Sequence, residues 1–311
     1  MPSPHLKNGL WKSPHGRALP CDFDARTLLM GIVNATPDSF SDGGEFASPE
    51  AARDHAVALV AAGADVIDLG AESTRPGSPR IDAAEEMRRL LPALAAIRGA
   101  LPDVPVSVDT YRPEVAEAAI LAGADIINDV HAIGPADGSG AGIAPGVVAD
   151  AGVPAAGTPG EYAMGKTAAR LGCPLIAMHN RAVPNYADFR AEFFEDLRIG
   201  VGRILASGVP ANQLWLDPGF GFGKTPEQNL LLVAELEKVA ALGFPVLLGT
   251  SRKSTLGVVL GGKPPKERAG ADSACSALGA FHGAACLRLH DVAAHRDAVV
   301  TADAVFRARK A

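Results

Sequence analysis

The stretch Leu28–Gly44, LLMGIVNATPDSFSDGG, decides the architecture. Its opening run, Leu28–Val33, is apolar and of strand length. The chemistry then changes at once to Asn34, Thr36, Pro37, Asp38, Ser39, Ser41, Asp42 and the pair Gly43–Gly44. A buried strand that hands over a polar loop at its C-terminal end is the unit from which α/β barrels and open α/β sheets build sites.

The chain repeats that unit. Helical stretches are expected at Pro49–Ala62, Ala83–Ala100, Pro113–Ala122, Glu161–Leu171, Tyr186–Ser207, Gln228–Leu242 and Ala271–Phe281. The strands between and after them are expected at Asp65–Gly70, Pro105–Asp109, Asp125–Val130, Pro174–Met178, Leu214–Asp217, Pro245–Gly249 and Ala284–Leu289. Gly63, Gly123, Gly172, Gly208, Gly243 and Gly283 stand just before strands, where the residue closing a helix often needs positive φ. Eight beats with short connections, and the echo of AGAD at Ala62–Asp65 and Ala122–Asp125, favour a single closed (β/α)8 TIM barrel over an open sheet. The expected division is an N-terminal extension over 1–27 and a barrel over 28–311. One segment, 131–160, breaks the rhythm as an enlarged Gly/Ala/Pro-rich loop.

Composition narrows the chemistry. The 311 residues carry a net charge of −6, which argues against nucleic acid or an acidic membrane as the main partner. Mean hydropathy is +0.13 and aromatics are only 5%, so Ala, Val, Leu and Ile must fill the core, as suits parallel α/β layers. Cys21, Cys173, Cys275 and Cys286 have neither CxxC nor metal-ligand spacing, and Cys173 and Cys286 read as small core residues. No run reaches the roughly 18 apolar residues that span a bilayer, and 1–27 has no apolar core of a signal peptide. A cytoplasmic protein is expected.

In a barrel the site lies where strands end. Those ends supply Asn34, Glu72–Arg75, Asp109, Asn128, His179, Asp217, Ser251–Ser254, Arg288 and His290. Taken singly, Asp109, Asn128 and Asp217 could cap helices or cross-link loops. Together, at an apolar mouth, they suit a flat heterocycle with adjacent N–H donors. Lys253, Arg288 and His290 follow strands seven and eight, where barrels bind phosphate. Asn34 on neighbouring strand one adds an amide oxygen able to ligate Mg2+ beside a pyrophosphate. Arg252 reads instead as a surface residue, and His179 as a structural histidine. Pro218–Thr225, PGFGFGKT, lacks the first glycine of a nucleotide P-loop because Pro218 occupies that position. Its glycines read as backbone approaching a ligand, with Phe222 as an apolar wall. A Schiff base on Lys253 is a further option that only its neighbour Arg252 favours.

These residues lie in segments that resemble dihydropteroate synthase: GIVNATPDSFSDGG (Gly31–Gly44), DLGAESTRPGS (Asp68–Ser78), SVDT (Ser107–Thr110), IIND (Ile126–Asp129), LDPGFGFGKT (Leu216–Thr225), SRKS (Ser251–Ser254) and RLHD (Arg288–Asp291). Each is weak alone; the ordered set is specific and spans nearly the whole chain. The resemblance implies a transferase of folate biosynthesis that condenses 6-hydroxymethyl-7,8-dihydropterin pyrophosphate with p-aminobenzoate, with Mg2+ as cofactor, homodimers, and sulfonamides as inhibitors. It assigns Asp109, Asn128, Asp217 and Lys253 to the pterin. Asn34, Arg75, Arg288 and His290 would serve the pyrophosphate, with Asn34 also at the metal and Asp38 near it. Thr74, Pro76, Phe222 and Ser251 would line the p-aminobenzoate pocket. Lys253, Arg288, His290 and Asp38 carry the catalytic expectation. Two departures stand out: the length of 131–160, and His131–Ala132 in place of Ser-Gly. A methyltetrahydrofolate methyltransferase would share the pterin residues but needs neither SRKS, RLHD nor STRPGS, and a catalytically silent member would have lost Lys253 or the loop residues.

Overall fold

The computed structural model describes residues 12–18, 26–35, 48–72, 80–135 and 162–310. Strands and helices alternate in the order β1 (Leu28–Asn34), α1 (Pro49–Ala61), β2 (Val66–Gly70), α2 (Ala83–Ala100), β3 (Val106–Asp109), α3 (Pro113–Leu121), β4 (Ile126–Ile133) and α4 (Ala163–Leu171). They continue as β5 (Leu175–His179), α5 (Phe189–Ala206), β6 (Leu214–Asp217), α6 (Pro226–Ala234), α7 (Leu236–Ala240) and β7 (Leu247–Leu248). The last part is α8 (Ser254–Val259), α9 (Ala269–Phe281), β8 (Cys286–Leu289) and α10 (Val292–Lys310). The strands pair in parallel in the order β6-β5-β4-β3-β2-β1-β8-β7. A parallel bridge between Leu216 and Val246 closes the ring, carried by Leu216 N–H donating to the Pro245 carbonyl at 2.9 Å. The (β/α)8 barrel expected from the sequence is the fold.

Local sequence explains the helix starts. The side chains of Ser48, Asp82 and Asp188 accept from the N–H groups of Ala51, Glu85 and Ala191, and Thr225 and Gln228 form a reciprocal capping box, each satisfying donors that a helix N-terminus leaves unpaired. All six glycines singled out before strands have positive φ.

Several boundaries differ from the sequence reading. β4 runs on through His131–Ile133, so the irregular segment begins later than residue 131; residues 136–161 lie outside the described set. The helix expected from Tyr186 starts at Phe189, where Asp188 caps it. The stretch 228–242 is two helices, α6 and α7, that meet at Glu235 (φ −118°). The seventh strand shrinks to Leu247–Leu248 plus the bridge at Val246. Helix α8 after β7 and helix α10 after β8 had no counterpart in the sequence reading.

Two apolar layers hold the barrel. Leu29, Val33, Ile67, Leu69, Val108, Ile127 and Leu216 face outward into the helices. Leu28, Met30, Val66, Ile126, Ile176, Trp215, Leu247 and Cys286 fill the inside. Strand side chains alternate, so residues two further on share a face. One step towards the mouth from Val66, Ile126, Trp215 and Cys286 therefore come Asp68, Asn128, Asp217 and Arg288, above the plug.

The opposite end is tied by the N-terminal extension. Asp125, wholly buried, accepts from Ser13 Oγ, Arg17 Nε at 2.9 Å, Arg98 Nη2 at 3.2 Å and Val106 N–H at 2.9 Å. His15 Nε2 reaches the Ile120 carbonyl at 2.8 Å, and Arg17 Nη2 reaches that of Gly123 at 2.6 Å. Residues 12–18 thus clasp the barrel floor. Asp125→Asn should lower the unfolding free energy by about 3 kcal/mol, because it strands two partly buried guanidinium groups. Urea denaturation checks this, with turnover at the distant mouth left near wild type.

Candidate active site

The register of the strands assembles the site. Asn34 of β1 lies opposite Gly70 of β2, Gly70 opposite Asp109 of β3, and Asp109 opposite Asn128 of β4. Gly70 lies between the two side chains: a Cβ there would lie 3.5 Å from Asp109 Cβ and 3.8 Å from Asn34 Oδ1, ordinary contact distances. On the far side Asp217 pairs with Met178, and Met30 pairs with Arg288.

Arg288 is the centre of the polar layer. Its Nε donates to Asp68 Oδ2 and its Nη2 to Asp109 Oδ2, both at 2.6 Å. Burial works to lower the Arg288 pKa, but the two carboxylates outweigh it and hold the guanidinium charged. Burial, with the Asp68 charge adding to it, raises the Asp109 carboxyl above its ordinary range against the pull of Arg288. Asn128 Nδ2 donates to both oxygens of Asp68 at 3.3 and 3.4 Å. That fixes the amide orientation and points Oδ1 away from Asp68, where it is buried with no hydrogen-bond partner among the described residues. Asp217 Oδ1 accepts the Gly219 N–H at 2.7 Å, and burial pushes this carboxyl up to about 6 against the pull of that N–H and of Lys253.

The rim carries the other expected residues. Lys253 Nζ lies 3.9 Å from the centroid of the Phe222 ring, a cation–π distance. Ser251 Oγ accepts the His290 N–H at 3.3 Å and meets His290 Nδ1 at 3.1 Å. Asn34, Asp109, Asn128, Asp217, Phe222, Ser251, Lys253, Arg288 and His290 therefore share one end of the barrel, while the Arg252 side chain is exposed outside it. Asp38, Thr74, Arg75 and Pro76 lie outside the described residues, although Glu72 and Arg80, which flank 73–79, bond each other at 2.9 Å. No group of three His, Cys, Asp or Glu side chains suited to a metal occurs among the described residues. Mg2+ typically keeps waters and binds one or two protein oxygens plus substrate phosphates, and the Asn34 amide fits that modest requirement.

Sequence reasoning missed two parts. Asp68 was only a letter in a motif, yet an acid inside the apolar strand VIDLG is itself a signal of a buried partner. Lys224, the lysine of the false P-loop, is buried with Nζ 2.9 Å from His179 Nδ1 and 3.3, 3.1 and 3.0 Å from the carbonyls of His179, Gly219 and Phe222. Burial pushes it down to about 7 against Asp217 and Asp196. It pins the 219–222 loop to the end of β5. His179 is structural as read: its Nε2 donates to Asp196 at 2.9 Å.

Comparison with known proteins adds names to this geometry. The family model described as "Pterin binding enzyme" matches residues 30–290. A dihydropteroate synthase of Streptococcus pyogenes serotype M6 is 40% identical over 277 residues, 89% of this chain and 94% of that protein. The Xanthomonas albilineans dihydropteroate synthase solved with 4-aminobenzoic acid superposes with a TM-score of 0.79 at 39% identity, over 94% of this chain and 98% of that one. The same enzyme solved with 7,8-dihydropteroate gives a TM-score of 0.75 at 35% identity, over 96% and 98%.

The raised carboxyl of Asp217 has a thermodynamic consequence. Its folded pKa of about 6 lies above the ordinary value of 3.8. The folded state therefore holds the proton better between those pH values, and its stability falls as pH rises through that window. Asp217→Asn should remove this slope and raise the melting temperature of the ligand-free protein at pH 7 by roughly 2 to 4 °C. Calorimetry of both proteins from pH 4 to pH 7.5 reads the difference.

Proposed function

This chain belongs to the dihydropteroate synthase family of pterin-binding enzymes, which makes it a transferase, and on that premise we propose how its own residues act on the substrates. The reaction joins 6-hydroxymethyl-7,8-dihydropterin pyrophosphate to p-aminobenzoate and releases pyrophosphate. The observation that carries the reading is the all-acceptor face inside the mouth: unpartnered Asn128 Oδ1 beside the carboxylates of Asp217 and Asp109. An aminopyrimidinone edge brings adjacent N–H donors to such a face. Its binding repairs a buried acceptor that would otherwise stay unsatisfied.

Lys253 covers the ring edge from its place over Phe222, and Phe222 with Ser251 borders the arylamine, joined in this reading by Thr74 and Pro76. His290 and Arg288, with Arg75, face the diphosphate. The chemistry is dissociative. The bond between the pterin methylene carbon and the diphosphate oxygen breaks, and its electron pair leaves with the diphosphate, whose growing charge Arg288 and His290 offset. The positive methylene is delocalised into the pterin ring and lies near the Asp109 and Asp217 carboxylates. The p-aminobenzoate nitrogen attacks that carbon, and the proton it sheds goes to water or released diphosphate. Asn34, with Asp38 nearby in this reading, would hold a Mg2+ that supplies further charge neutralisation to the diphosphate when bound. Sulfonamides, as mimics of p-aminobenzoate, would compete at the Phe222 side.

Two further parts of the proposal concern context. Exposed Leu278 on α9 and Val300 and Val305 on α10 support a homodimer built on these outer helices. The buried free thiols of Cys173, Cys275 and Cys286 suit a reducing cytoplasm, and no described helix is long and apolar enough to cross a membrane.

Purified protein should release pyrophosphate and form dihydropteroate only when p-aminobenzoate and a divalent metal are both supplied, and EDTA should stop it. No product at saturating substrates would defeat the assignment. Asp217→Ala should abolish pterin binding by calorimetry. Arg288→Ala should do more than weaken the diphosphate: it leaves Asp68 and Asp109 facing each other, so both turnover and the urea midpoint should fall.

A further inference from the structure

The turn that delivers Ser251 and Lys253 is held from behind by residues that touch no expected substrate atom. Arg252 has φ 59°, the one positive value at a non-glycine among the described residues. Side-chain sterics disfavour that region for any residue with a Cβ. Its N–H donates to both carboxylate oxygens of Asp272, at 3.1 and 3.0 Å. Asp272 lies in the first turn of α9 and is 2% exposed. From the other side the Arg268 guanidinium donates through Nη1 to the carbonyls of Arg252 and Lys253, at 3.1 and 3.0 Å, and through Nε to that of Lys263 at 2.8 Å.

The room for Arg268 is built in. A Cβ on Gly257 of α8 would lie 2.4 Å from Arg268 Nη2 and 2.6 Å from its Cζ. The peptide groups of the turn are thus gripped at their donor end by one side chain and at their acceptor ends by another, both from the start of α9. The left-handed residue sends the Arg252 side chain outward. Ser251 on one flank then meets His290, and Lys253 on the other lies over Phe222.

We propose that Asp272 and Arg268 are positioning residues for the transfer reaction, holding the 251–253 turn in its left-handed form so that Ser251 and Lys253 face the substrates. This rests on the function proposed above. Without the Asp272 carboxylate the turn relaxes towards a right-handed conformation and Lys253 leaves its place over Phe222.

The test is a cycle of Asp272→Ala, Arg252→Gly and the double variant, with Asp272→Asn as the conservative control. Glycine takes positive φ without steric cost, and the Arg252 side chain stays outside the site, so Arg252→Gly alone should keep kcat and KM near wild type. Asp272→Ala should raise KM for the pterin pyrophosphate and lower kcat/KM by about tenfold, the scale of losing one disfavoured backbone conformation. Asp272→Asn, which keeps one acceptor oxygen, should fall between. The double variant should regain most of the loss, which a merely stabilising role for Asp272 would not produce. Amide exchange gives a readout without substrate: protection of the Lys253 amide, which bonds the Thr250 carbonyl at 3.2 Å within the turn, should fall in Asp272→Ala and recover in the double variant, while the residue 252 amide, its acceptor gone, exchanges fast in both. Wild-type kinetics in Asp272→Ala with only a lower melting temperature, or a double variant no better than Asp272→Ala, would overturn the proposal. A wild-type protein that couples no substrate defeats the function instead, and the exchange comparison still decides the clamp.

Discussion

Arg288, gripped between Asp68 and Asp109 in the middle of the barrel mouth, is the interaction on which the site depends. A guanidinium and two carboxyl groups this far from water are tolerable only as a bonded set, because a buried charge alone would carry a desolvation cost of several kcal/mol. The set also orients what surrounds it. Asn128 bonds Asp68 through its amide nitrogen, which leaves the amide oxygen turned away from Asp68 and without a hydrogen-bond partner among the described residues. The Asp68–Arg288 pair thereby decides which atom of Asn128 is left over as an acceptor, and the function proposed above rests on that atom.

The fold could be read from the chain because a parallel strand in a barrel is constrained on both faces. Apolar runs such as Leu28–Val33 and Asp65–Gly70 leave few other structures open, and glycines before strands mark where helices end. Boundaries were harder where tertiary context rules. His131–Ile133 looks irregular in sequence, and its pairing with β5 does shift register there before resuming at Ile133 opposite His179, whereas Tyr186–Ala187 has helical character and is cut off by the Asp188 cap. Helix α8, Ser254–Val259, is only six residues long and includes the β-branched Thr255, Val258 and Val259, so it carries little periodic signal.

The site divided in the same way. Asp109, Asn128, Asp217, Lys253, Arg288 and His290 stand at strand ends, where sequence position alone predicts convergence. Asp68, Lys224, Asp272 and Arg268 act through other residues, and the partners that matter range from distant to moderately spaced: Asp68 is 220 positions from Arg288, Lys224 is 45 from His179, and Asp272 is 20 from Arg252. Nothing local in the sequence joins such pairs. What sequence does offer is the anomaly itself, a charge inside an apolar strand or a lysine in a glycine-rich loop that cannot be a P-loop.

Those supporting residues also explain how a mouth made largely of loops keeps its shape without ligand. Lys224 fastens the 219–222 loop through three carbonyls and an imidazole, and Arg268 fastens the 252–253 turn through two more carbonyls. Each uses a cation to satisfy backbone acceptors that a loop cannot pair within itself. The walls bearing Phe222 and Lys253 are also tied to each other: Asn229 accepts the Gly221 N–H at 2.7 Å and donates to Thr255 Oγ1 at 3.0 Å, and the two walls meet at the 3.9 Å contact between ammonium and ring. Phe222 and Lys253, proposed above for the arylamine and the pterin, are therefore placed by one connected frame. Their spacing is set before either substrate arrives, which is the preorganisation that a transfer between two bound partners requires.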